Sequence, residues 1–131
     1  MITYVDTSAA MKLLVDEGES SALVDKLQEL RAAGGTLVSS WLLHTELCCA
    51  ANRHPADVAA DAVEAVLSAL ALVDIDRADL IAAPSLPGRL RSADAIHLAS
   101  ALRAGCDAIL VYDEDLRAAA RTVGIRPLSP S

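Results

Sequence analysis

Four carboxylates in this chain stand where an acid is costly unless something neutralises it. Asp6 follows the apolar run Ile2-Thr3-Tyr4-Val5, and Glu46 is set inside the apolar helical stretch Trp41-Leu42-Leu43-His44-Thr45-Glu46-Leu47. Asp94 falls in the first turn of a helix signalled by Ser92-Ala93-Asp94-Ala95-Ile96-His97, and Asp113 ends the run Ala108-Ile109-Leu110-Val111-Tyr112. Ionised acids at the ends of buried strands and on buried helix faces need a partner charge or a bound cation. Hard oxygen ligands in this number suit a divalent ion such as Mg²⁺ or Mn²⁺. Such a site serves hydrolysis of a phosphodiester.

Each acid also has a plainer explanation. Asp6-Thr7-Ser8 suits a helix N-cap. Glu46, with Leu43, Leu47 and Ala50 on a neighbouring helix face, suits a half-exposed helix boundary. Asp94 gains from the helix dipole, and Asp113-Glu114-Asp115 reads as a solvated turn. No single acid decides between the readings, so the weight rests on the joint pattern.

The elements that must position these acids alternate along the chain. Ile2–Val5 reads as a strand, followed by helical spacing over 9–15 and over 21–33, where Leu23, Leu27 and Leu30 recur at i, i+4, i+7 before Gly34-Gly35. Thr36–Ser39 is a second strand, and Trp41–Asn52 a helix broken at His54-Pro55. Residues 56–72 predict one helix with Val58, Ala62, Val66 and Ala69 on a common face, and Leu72–Ile75 a third strand. A short helix over 77–83 and a loop over 84–88 come next. Ser92–Ala104 reads as a helix with Ser92 as N-cap and Gly105 past its end. Ala108–Tyr112 is the fourth strand, 115–123 a helix and Ile125–Leu128 a fifth strand, with loosening expected beyond Leu128. Short apolar strands between helices imply an α/β fold, a central parallel sheet of about four to five strands flanked by helices. Ligands bind such sheets beyond the carboxyl ends of the strands, where Asp6 and Asp113 fall.

Length and composition narrow the function. At 131 residues the chain fits one domain, 1–131, able to bury a core without disulfides. Tyr4, Trp41 and Tyr112 are its only aromatic residues, so the core must be Ala, Leu, Val and Ile. No apolar run reaches the roughly 18 residues of a membrane span. The N-terminus has no export signal, Asp6 standing where its apolar core would run. Cys48, Cys49 and Cys106 form no disulfide or zinc spacing and read as buried inert thiols. The expected location is the cytoplasm. The net charge of −7 opposes nucleic-acid binding by bulk charge, yet the four acids supply four of those excess charges and a bound cation would offset them.

The joint pattern resembles a known family. Asp6-Thr7-Ser8-Ala9 after a first strand resembles the opening motif of PIN-domain ribonucleases. Ser92-Ala93-Asp94-Ala95-Ile96-His97-Leu98-Ala99-Ser100-Ala101 resembles the central motif of their VapC-type toxin branch, and Val111-Tyr112-Asp113-Glu114-Asp115-Leu116 the closing motif. Glu46 stands where the family carries its second acid. The resemblance implies a PIN fold and a metal-dependent endoribonuclease, the toxin of a toxin–antitoxin pair, with Asp6, Glu46, Asp94 and Asp113 as catalytic acids and ligands to Mg²⁺ or Mn²⁺. It implies RNA as substrate, a cognate antitoxin and a homodimer. An acidic pocket further favours a basic, Arg-bearing antitoxin segment. The family often has Ser or Thr two residues before the last acid; Val111 stands there, leaving Ser8 or Asp115 to supply that polar contact.

Arg89 and Arg91 are the basic candidates for an RNA backbone, about as readily ordinary solvated arginines. Lys12 reads as a surface lysine, His44 and His54 as structural or exposed, and His97 as a packing or hydrogen-bonding histidine rather than a general base. Two other functions compete. A receiver-like phosphoacceptor module would need a lysine after a late strand, and no lysine follows Asp113. A non-catalytic PIN-like binding protein would have no need of all four acids.

Overall fold

The computed structural model describes residues 1–15 and 18–131, and its apolar runs become five strands: β1 (Ile2–Val5), β2 (Thr36–Ser40), β3 (Ala71–Val73), β4 (Ala108–Leu110) and β5 (Arg126–Leu128). All pair in parallel in the order β3-β2-β1-β4-β5, with Tyr4 opposite Val38 on one side and Ile109 on the other. Both faces of the sheet are covered, and alternate residues feed two separate cores. Val5, Leu37, Ala108 and Leu110 pack on the side of helices α1 (Thr7–Leu14), α2 (Ser20–Ala32), α3 (Trp41–Arg53) and α4 (Ala60–Ser68). Tyr4, Val38, Ile109 and Val111 pack against α6 (Ser92–Arg103) and α7 (Glu114–Thr122). Aliphatic side chains and alanines fill both cores, as the scarcity of aromatics requires. Among the described residues no helix is long and apolar enough to cross a membrane.

A short helix, α5 (Arg77–Ala82), fixes α6 from outside. Asp79 on α5 is only 2 % exposed. Its carboxylate accepts from Arg103 Nε at 2.8 Å, Ser100 Oγ at 3.3 Å and the Asp76 backbone N–H at 3.0 Å. Burial pushes the pKa of Asp79 up, but the bond from Arg103, the Asp76 N–H, the Arg103 charge and Ser100 outweigh it and hold the group below its ordinary value. Beyond β5 the tail is tied back: Ser129 Oγ donates to Val111 O, and Tyr112 Oη donates to Pro130 O at 2.7 Å.

Three local expectations need correction. The helix expected over 56–72 spans only Ala60–Ser68. After Pro55 a turn forms in which Val58 N–H donates to His54 O at 2.9 Å, so Val58 reaches the core from the turn. Val63 rather than Ala62 is the buried residue of α4, and the helix is capped at Ala69, with Leu70 in the bend before β3. Arg91, not Ser92, is the N-cap of α6, with no side-chain bond to the cap, which places Asp94 third in the helix. Of the three thiols only Cys106 is buried, where burial and then the Asp107 charge push its pKa up to about 11; Cys48 is half-buried and Cys49 exposed.

Candidate active site

The chain winds outward from β1 through β2 to β3, then crosses back to place β4 and β5 on the other side of β1. The crevice beyond the carboxyl ends of β1 and β4 is therefore the point where strand order reverses, the usual ligand position in open α/β sheets. Asp6 follows β1 there, its N–H donating to Leu110 O of β4 at 3.0 Å. Asp113 follows β4 as the N-cap of α7, its Oδ1 accepting from Leu116 N at 2.9 Å.

Asp6 is both a helix cap and a buried acid with an unmet demand for charge. Its Oδ2 accepts from Ser8 N at 3.1 Å and from Ser8 Oγ at 2.6 Å, capping α1. Its Oδ1 is buried and has no hydrogen-bond partner among the described residues. A buried carboxylate oxygen left without a partner is costly and rare. Ser8 Oγ in turn accepts from Tyr112 N at 2.9 Å, so Ser8 ties Asp6 to the chain after β4 while Val111 is spent in the core. Asp115 lies exposed on α7, and among the described residues no hydrogen bond joins it to these acids.

Asp94, half-buried in the first turn of α6, brings the third acid into the same field. Burial raises its pKa, the charges of Asp6 and Asp113 raise it further, and His97 and Arg91 partly oppose them. Asp94 thus feels the charges of two acids from two other elements across the crevice. Glu46 sits apart in its bonding. Its Oε1 accepts from Thr7 Oγ1 at 2.8 Å and faces His97 Nε2 at 2.5 Å. Burial pushes the pKa of Glu46 up, but the His97 bond and charge and the Thr7 bond hold it below its ordinary value. Thr7 is chain neighbour to Asp6, and His97 lies one helical turn from Asp94, so Glu46 is linked to both.

His97 is wholly buried, with Nδ1 2.6 Å from Tyr4 Oη, which lies 2.9 Å from Ser40 Oγ. Burial, foremost, raises the Tyr4 pKa above its ordinary 10.0 and keeps the phenol neutral. Tyr4 and Ser40 lie outside every motif, and Thr7, though inside the opening motif, carried no sign there of its bond to Glu46. Tyr4 had one available signal: it is the aromatic residue of β1, on the same strand face as Asp6 by the two-residue period.

Arg89 and Arg91 are both exposed. Arg91, the cap of α6, acts on Asp94. Arg89 holds a left-handed φ of 51° directly after Gly88 at 94°, where an added Cβ would come within 3.3 Å of Ala119 Cβ. Lys12 pairs with Glu19 at 3.3 Å and lies 4.7 Å over the Tyr112 ring. His44 packs edge-on against Trp41, ring centroids 5.0 Å apart, and the exposed His54 closes α3 as its C-cap.

Among the described residues no group of three or more His, Cys, Asp or Glu side chains is drawn together as a ready-made ion cage. The donor set nonetheless fits a hard cation. Asp6 Oδ1 is orphaned, and Asp94 is destabilised by two neighbouring acids, both of which a positive ion would relieve. Mg²⁺ keeps several waters and takes few protein carboxylates directly, so the looser spacing of these acids is compatible with it.

Comparison with known proteins gives a consistent picture. Residues 3–122 match the family model of the PIN domain. The chain is 39% identical over 134 residues to Ribonuclease VapC46 of Mycobacterium tuberculosis, spanning 98% of this chain and 97% of that protein. It is 37% identical over 135 residues to Ribonuclease VapC35 of the same species, spanning 97% and 96%. Two solved structures share the fold. One is VapBC2 from Rickettsia felis bound to a DNA fragment from its promoter, with TM-score 0.78, 12% identity and both chains fully covered. The other is a toxin–antitoxin complex from Klebsiella pneumoniae, with TM-score 0.68, 16% identity and 98% of each chain covered.

Proposed function

The chain belongs to the PIN-domain family, among the VapC ribonucleases, and on that premise we propose that Asp6, Glu46, Asp94 and Asp113 are its catalytic acids and hold Mg²⁺ or Mn²⁺ for internal cleavage of RNA. The observation that carries this reading is Asp6: a buried carboxylate with one oxygen unpartnered among the described residues, at the sheet's reversal point, in the field of Asp94 and Asp113. When bound, a divalent ion supplies the charge that activates water and steadies the oxygens of an in-line displacement. The chain's own residues supply position. Ser8 holds Asp6 through Oδ2, leaving Oδ1 without a hydrogen-bond partner among the described residues. The caps of α1 and α7 fix Asp6 and Asp113 on rigid helix ends, and Asp94 rides the first turn of α6. Arg91, beside Asp94, is placed to take a phosphate of the RNA backbone, with Arg89 as the second candidate.

The biological role that follows is the toxin of a cytoplasmic toxin–antitoxin pair, a homodimer held in check by a cognate antitoxin. A basic, Arg-bearing antitoxin segment is the complement of this acidic crevice, sitting where it would exclude metal or RNA.

One experiment tests the reading. RNA cleavage is measured for wild type, Asp6→Asn and Asp94→Asn, with and without EDTA, and with antitoxin added, alongside thermal melts. Wild type is expected to cut only with added divalent metal, and both variants to melt cooperatively without cutting. Metal at a hundredfold excess over its Kd should stabilise wild type by about 2.7 kcal/mol and the variants by less. Cleavage that survives EDTA or both substitutions overturns the site, and a folded, metal-indifferent chain that binds RNA uncut selects the non-catalytic alternative. Cleavage that continues at full rate with antitoxin bound removes the blocking role.

A further inference from the structure

Resting on the ligand reading above, we infer that His97, held in turn by Tyr4, is a positioning residue that presents the Glu46 carboxylate to a divalent cation. Glu46 is the one site acid carried by the middle of a helix, on a long side chain with freedom to swing. Its Oε1 is clamped twice, by Thr7 Oγ1 at 2.8 Å and His97 Nε2 at 2.5 Å. Thr7 Oγ1 and His97 Nε2 are themselves 3.0 Å apart, so the two clamps converge on one oxygen. Among the described residues no hydrogen bond reaches Oε2, which leaves that oxygen to serve as ligand.

The imidazole cannot move to do anything else. Its Nδ1 lies 2.6 Å from Tyr4 Oη, and its ring stands edge-on to the Tyr4 ring at 68° with centroids 5.7 Å apart. Tyr4 is anchored by Ser40 Oγ at 2.9 Å. Ser40 is the last residue of β2 and the N-cap of α3, so the chain Ser40–Tyr4–His97–Glu46 starts at the cap of α3 and ends on that helix. Ser40, Tyr4 and His97 are all fully buried. A carboxylate only accepts, so Nε2 carries a hydrogen, and the phenol serves Nδ1 as its partner. With both nitrogens engaged, His97 is neither a metal ligand nor a general base. It does for Glu46 what outer partners do for ligating side chains, fixing one orientation in advance.

The test is calorimetric titration of the full chain with Mn²⁺ alone, using wild type, Glu46→Gln, His97→Leu, His97→Gln, Tyr4→Phe and the double variant Glu46→Gln/His97→Leu. His97→Leu is expected to weaken Mn²⁺ binding about 10- to 100-fold. His97→Gln, which can still donate an N–H to Oε1, should recover most of that loss. The double variant should bind no more weakly than Glu46→Gln alone, because His97 acts only through Glu46. Wild-type affinity in a folded His97→Leu, or losses that add in the double variant, would overturn the inference. Should His97→Leu fail to fold, Tyr4→Phe keeps the ring and removes only Oη; wild-type affinity there is equally fatal. Unchanged affinity in Glu46→Gln is a separate outcome, since it overturns the ligand assignment and this inference with it.

Discussion

Asp6 shows how one side chain can satisfy a local rule and a distant one together. Its Oδ2 caps α1 through Ser8, and its Oδ1 is left without a partner among the described residues. The N-cap reading holds for Oδ2, and the ligand reading proposed above would fall to the other oxygen, so the two readings need not be rivals. The same holds at Asp113, a cap of α7 that also raises Asp94. The acids were legible because each breaks an apolar pattern. The Tyr4–His97–Glu46 chain was not, because its first bond joins positions 93 apart and no local period records such a pairing. Arg91 carries the prediction at this scale. It caps α6, is exposed, and acts on Asp94, whereas no such influence of Arg89 is seen there. In an uncleaving Asp94→Asn background, Arg91→Ala should weaken RNA binding across sequences. It should also reduce the slope of log K against log salt by about 0.7 to 0.9, the value of one phosphate contact. An unchanged slope would leave Arg91 a solvated cap and move attention to Arg89.

At the scale of elements, strand positions were the most legible part of the fold, because four or five apolar residues between turn signals leave few alternatives. Helix boundaries were less so. The expected helix over 56–72 failed at both ends for one reason: tertiary demand outweighed periodicity. Val58 fills the core from a turn, and residues 71–73 extend the sheet beside β2. Ser92 looked like a cap because serine favours that place, yet the backbone puts Arg91 there. The α5–α6 contact has a pH signature. Asp79 is held below its ordinary pKa of 3.8, so its contribution is fully present above that value and is lost as pH falls through the lower folded pKa. Asp79→Asn should cost about 1–3 kcal/mol at neutral pH, since it breaks a buried charge-assisted bond to Arg103. The gap to wild type should close as pH drops below 3.8. Urea melts of both proteins across pH 2–7 measure it, and a gap that persists undiminished at the acid end would remove Asp79 from that role.

For the molecule as a whole, a net charge of −7 and a nucleic-acid substrate are reconciled by location. Four of the excess negative charges are the site acids that a cation would offset, and Arg89 and Arg91 lie on the exposed loop leading into Asp94. The strand order has a temporal meaning as well. β1 precedes the other four strands yet sits at the centre of the sheet, and one of its neighbours, β4, is made only after β2 and β3. Even the Ile2 N–H waits for Asp107 Oδ2, which it meets at 2.7 Å across 105 positions. Folding dominated by such distant pairs cannot finish early. A fragment of residues 1–105 has three of the four acids yet lacks β4, α7 and β5. It should show no cooperative melt and no cleavage with metal, and a sharp transition or any cutting by it would contradict this. On the ribosome the same topology would act as a timer: the acids that follow β1 and β4 cannot be brought together until β4 and α7 have themselves been made.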